Sequence, residues 1–100
     1  MKIDKSQLII DNLHRQEELK IKLMPTIFQE RGFRFFFYSN EHLPKHIHVI
    51  GKSGEVKIEL NSLTLIYNFN MKKKDLKVVL EIVTQNRFFF LRKWDEYQKE

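Results

Sequence analysis

The sequence predicts an α+β domain, an antiparallel meander of about five strands packed on a long C-terminal helix, with a short helix ahead of it. Apolar and polar residues alternate with period two in several short runs between Pro25 and Phe69, the periodicity of half-buried strands. Turn-forming residues separate those runs, and from Met71 onward the apolar spacing switches to that of a helix. At 100 residues the chain is of single-domain size. Residues 24–100 are read as the domain and residues 1–23 as an N-terminal extension.

In the extension, Leu8, Ile9 and Leu13 follow helical spacing, so a short helix is expected from Ser6, its N-cap, ending before Pro25. "PTIFQE" and "FRFFFY" then flank Arg31-Gly32 as a hairpin whose glycine supplies a positive φ. In the second run Phe33, Phe35 and Phe37 share one face, and Arg34, Phe36 and Tyr38 the other. Asn40 to Lys45, with Pro44 inside it, is a loop. "HIHVI" follows as a strand with His46, His48 and Ile50 on one side and Ile47 and Val49 on the other.

"GKSGE" turns the chain into "EVKIEL", where Val56, Ile58 and Leu60 alternate with charged residues. A tight turn at Asn61-Ser62 leads to the last strand, "LTLIYNF", and Asn70 is the expected N-cap of a continuous final helix. Leu76, Val79, Leu80, Val83, Phe90, Leu91, Trp94 and Tyr97 form its apolar stripe. Phe88 and Phe89 fall partly off the stripe, where they either thicken the core or, if exposed, face a protein partner.

Composition narrows the function classes. Nine phenylalanines and 42% apolar residues are ample for a core. The absence of cysteine excludes disulfides and thiolate metal cages, so any metal must take His, Asp or Glu. No apolar run is long enough to span a bilayer and the first residues lack a secretory pattern, so a cytoplasmic location without a membrane partner is expected. The net charge of +5 raises affinity for phosphates or acidic partners without choosing between them.

The segment "SNEHLPKHIHVI" carries the chemistry. His46 and His48 alternate onto one strand face and His42 lies a short loop away. Three imidazoles so placed are candidate ligands for a divalent metal such as zinc, with Glu41 the nearest fourth donor. Two imidazoles also suit metal-free acid and base work near neutral pH, the chemistry of RNA strand cleavage, with Arg34, Lys45 or Lys57 on the phosphate. A third reading leaves them as surface histidines packed on a neighbour such as Tyr38, with no cofactor.

The strings "MPTIFQERGFRFFFYSNEHLPKHIHV", "VKIEL" and "IVTQNRFFFLRKWDEY" resemble a small bacterial family, a domain of unknown function. The matching positions are Arg34, Phe36, Tyr38, Ser39, Asn40, His42, Pro44, His46, His48, Lys57, Asn86 and Trp94. The resemblance implies a compact α+β domain and a role in toxin-antitoxin modules beside a cognate small antitoxin-like protein. Lys45 stands where the family often has a second proline, and most members begin at the equivalent of Met24.

The leading expectation is therefore the toxin-like component of a toxin-antitoxin pair, directed at RNA or the ribosome, with RNA cleavage by the clustered histidines as its candidate activity. His42, His46, His48 and Tyr38 would form the catalytic surface, and Arg34, Asn40, Lys45 and Lys57 would bind. A non-catalytic interaction module or antitoxin-side protein, using Phe88, Phe89 and the extension, is one rival. A metal-dependent hydrolase ligated by His42, His46 and His48 is the other, and self-pairing through a strand edge would give a homo-oligomer.

Overall fold

The computed structural model describes residues 26–98; the expected helix from Ser6 and the extension lie outside them. Five antiparallel strands run in sequence order across one sheet, and two helices follow. The strands are β1 (Phe28–Glu30), β2 (Phe33–Phe36), β3 (His46–Ile50), β4 (Glu55–Glu59) and β5 (Leu65–Phe69), and the helices are α1 (Lys73–Gln85) and α2 (Arg87–Tyr97). The expected α+β meander is what forms, but its helical segment is two helices and not one.

The division falls at Asn86, whose φ of −113° and ψ of 19° leave helical space. Its backbone N–H reaches the carbonyls of Ile82 and Val83, while its side-chain amide donates to Ile82 at 2.8 Å. One asparagine thus caps the end of α1 and separates it from α2. The start of α1 also differs from the sequence expectation. Asn70 has a φ of 70° and lies in a turn, where the side chain of Asn68 bonds both the N–H and the carbonyl of Met71. Lys72 is the N-cap.

Alternation decides which side of the sheet the helices cover. Phe33, Phe35, Ile47, Val49, Val56 and Ile58 form the core with Val79, Ile82, Val83, Phe90 and Trp94. Phe35 stacks on Phe90 with centroids 5.4 Å apart, and Phe37 meets Trp94 edge-on. Each fully buried ring of this kind stabilises the fold by about 2–3 kcal/mol. Phe89 joins this layer against Phe28 and Phe90, whereas Phe88 is exposed. The opposite, outer face is left to the alternate residues, His46 and His48 among them.

Two glycines tie the hairpins. Arg31 and Gly32 both have positive φ, 52° and 84°, the two-residue turn that matches strand twist. A Cβ on Gly32 would meet nothing within 4 Å, but one on Gly54 would lie 2.1 Å from the Phe69 carbonyl oxygen and 2.6 Å from the Met71 nitrogen. Backbone atoms cannot move aside as a side chain can. Gly54→Ala is therefore expected to cost about 3 kcal/mol and Gly32→Ala about 1 kcal/mol. Urea midpoints check the order, and equal shifts would contradict it.

Candidate functional site

The outer face is assembled in cross-strand rows. Phe36, His48, Lys57 and Tyr67 are mutual partners from β2 to β5, so all four project from the same side. In the next row Ile50 pairs with Arg34 and Glu55, and His46 pairs with Glu59 toward the other end. His48 therefore has Glu55 on its diagonal, and its Nδ1 stands 3.2 Å from Glu55 Oε2. Phe36 stacks on the His48 ring at 5.5 Å and Tyr38 meets it edge-on at 4.6 Å.

The loop after β2 supplies the remaining group. Asn40 takes a φ of 56°, a left-handed conformation that asparagine tolerates better than most residues. Beyond it, Glu41 meets the histidines while His42 is left exposed. Oε2 of Glu41 accepts from the Tyr38 backbone N–H at 2.7 Å. Oε1 lies 2.5 Å from His46 Nε2 and 2.9 Å from His48 Nε2. Gln98 clamps the loop from the far end of the chain, accepting from the Glu41 N–H at 2.9 Å and donating to the Tyr38 carbonyl at 2.7 Å.

Hydrogen-bond inventory fixes where the protons stand. The Pro44 carbonyl only accepts, so His46 Nδ1, 2.7 Å away, carries a hydrogen. Glu55 is a carboxylate, so His48 Nδ1 carries one too. Both Nε2 atoms then face a single carboxylate oxygen, and each contact needs a proton or a cation between the two atoms. His46 and His48 are only 2% and 4% exposed. Among the described residues no buried side-chain nitrogen or oxygen lacks a partner.

Burial by itself raises the pKa of Glu41. The hydrogen bonds from His46 and His48, the charge of His48 and the Tyr38 N–H outweigh it, holding the carboxyl at about 2 against an ordinary 4.5. For His48 burial pulls the other way, lowering the pKa, yet hydrogen bonds to Glu41 and Glu55 and their charges raise it above 6.5. Glu55 is lowered by its bond to His48 against its own burial, with help from Tyr67 and Tyr38. Tyr67, which donates to Glu55 at 3.0 Å, is raised by burial and by that carboxylate.

Donor atoms of Glu41, His46 and His48 all lie within 4.8 Å of one another, a set able to hold a metal ion. The cluster thus takes Glu41 and leaves out His42, which sits on the wall of an adjoining pocket of about 390 Å³ with Tyr38, Asn40 and Lys57. Lys45 is paired with Asp95 at 2.9 Å, and Arg34 reaches Thr26 at 3.3 Å away from that pocket. Glu55, Tyr67 and Gln98 were not among the residues expected from sequence. Strand register points to Glu55 and Tyr67, but Gln98 lies 57 residues from Glu41 and carries no local signal.

The pKa shifts set a pH window for the metal-free protein. Glu41, depressed, contributes stability that is fully present above 4.5 and is lost as pH falls toward about 2. His48, raised, contributes stability that is fully present below 6.5 and is lost as pH climbs through its folded value. Stability measured by urea with chelator present should therefore peak between those two values and decline on both sides. Glu41→Gln should cost about 3 kcal/mol within the window and flatten both limbs. A variant whose pH profile matches the wild type would refute this.

A family model described as a domain of unknown function, DUF4160, matches residues 32–95. The match takes in Glu41, His46, His48 and Glu55, and leaves out the Met24–Ile27 opening and Gln98. Comparison with curated proteins and with solved structures gave no match. Well over half of the chain fits the family model, and the chain belongs to the DUF4160 family, a domain of unknown function.

Proposed function

We propose that this domain is a divalent-metal hydrolase whose ligands are Glu41 Oε1, His46 Nε2 and His48 Nε2. One observation carries the reading: both imidazoles aim Nε2 at the same carboxylate oxygen while each Nδ1–H is held by an acceptor, Pro44 in one case and Glu55 in the other. Metal-bound histidines are oriented in this way, the outer acceptor fixing tautomer and ring angle. Two histidines and one carboxylate are also the three-ligand set of many catalytic sites, which keep a further position open.

Tetrahedral bonds of 2.0–2.1 Å place ligand atoms about 3.3 Å apart, so the present contacts need to open by less than about 1 Å. Side-chain torsions on the loop can supply that. An ion held there supplies Lewis acidity and lowers the pKa of water toward neutrality. Glu41 and His46 also border the pocket, so the cluster is reachable from it. Glu41 and Glu55 balance two positive charges, which removes the main electrostatic cost of placing a dication near a core.

The metal-free alternative, a toxin-like ribonuclease using His46 and His48 as base and acid, is favoured by ring centroids only 5.0 Å apart. It is weakened because both Nε2 atoms are engaged by Glu41. A chelator separates the two, since RNA cleavage that persists in EDTA and vanishes in His46→Ala would support the alternative.

Untagged, dialysed protein titrated with Zn²⁺ by calorimetry is expected to take one ion per chain. Glu55→Gln should weaken that binding ten- to hundredfold, and His42→Ala should leave it unchanged. The metal reading fails if a His46→Ala, His48→Ala double variant binds as the wild type does.

A further inference from the structure

We propose that the pocket beside the cluster is a phosphate subsite in which Lys57 is the charge partner, so that the substrate is a phosphoester. The inference rests on the metal reading for its catalytic meaning but stands on its own geometry. Lys57 is half-buried in β4, between His48 and Tyr67 in the same row, and lines the pocket with Ser39, Asn40 and His42.

Around Lys57, Glu41 is bound by His46, His48 and the Tyr38 N–H, Glu55 by His48 and Tyr67, Glu59 by the Ser62 hydroxyl, and Lys45 by Asp95. Among the described residues Lys57 makes no ion pair, and its ammonium only overlies the Tyr67 ring at 5.9 Å. A partly desolvated cation without a counter-charge is costly, and an anionic ligand removes that cost.

The surrounding donors favour phosphate over a planar carboxylate. Ser39, Asn40 and His42 are exposed residues of the β2–β3 loop and Lys57 comes from β4, so the pocket draws its polar groups from two elements, as suits a tetrahedral oxyanion. Glu41 and His46 border the same pocket. A phosphoryl group held by Lys57 would thus sit beside the proposed ion, where its developing charge can be stabilised. A small phosphoester and a nucleic-acid backbone share this chemistry.

The test is a ¹⁵N NMR titration of the full chain with inorganic phosphate, run once with Zn²⁺ loaded and once in EDTA, against chloride at equal ionic strength. Saturable shifts are expected at residues 39–42 and at Lys57, with affinity at least tenfold weaker in Lys57→Met and largely restored in Lys57→Arg. Zinc stoichiometry should be the same in all three proteins, and spectra elsewhere unchanged, which separates loss of the subsite from loss of the fold. Phosphate shifts no larger than those of chloride, or an unaltered affinity in Lys57→Met, would overturn the subsite and leave the metal reading standing. Failure to take up zinc would overturn the metal reading alone, because the EDTA series judges Lys57 independently. A parallel titration with a uridine tetranucleotide assigns the source: tighter binding than phosphate supports the subsite with a nucleic-acid backbone as ligand, and equal binding supports it with a small phosphoester.

Discussion

The carboxylate of Glu41 accepts from three directions, and the outer half of the molecule is arranged around it. Two imidazoles almost removed from water require a partner for every nitrogen, since an unpaired buried polar group costs about 1–3 kcal/mol. Glu41 provides two of those partners with one oxygen and uses the other to hold the turn that brings it there. In a low-dielectric setting such a network rigidifies when complete and penalises any missing member. The loop that carries Glu41 is therefore a structural part of the sheet's outer layer.

That layer is tied to the core through α2. Phe90, Trp94 and Gln98 follow one another at intervals of four, along one side of the helix and its cap. Phe90 stacks in the core on Phe35, Trp94 packs against both Phe37 and the His46 ring, and Gln98 clasps the Glu41 loop. Packing on the helix-covered face thus sets the position of groups on the opposite face. The break at Asn86 matters for this reason, because the helix that carries these three residues starts there as a separate element.

Much of this was legible in the sequence, for reasons that also mark where legibility stops. Period-two alternation puts His46 and His48 on one face and Ile47 and Val49 on the other, and that is how they lie. Antiparallel register extends the same logic to Glu55 and Tyr67. Alternation has no authority in a loop, so it could not rank Glu41 against His42; the left-handed residue at Asn40 and the bonds to Gln98 decide between them. The division of the final helix was equally hidden, as neither proline nor glycine stands there and a single asparagine does the capping.

The central claim is that both imidazoles present Nε2 to Glu41 with Nδ1–H turned away to a fixed acceptor. Long-range ¹H–¹⁵N correlation spectra of the histidine rings, recorded before and after one equivalent of Zn²⁺, test it directly. The account predicts a protonated Nδ1 on His46 and on His48 throughout, with the large ¹⁵N change on zinc addition confined to Nε2 of those two rings and His42 unaffected. A bare Nδ1 on either ring, or a zinc response centred on Nδ1 or on His42, would contradict it.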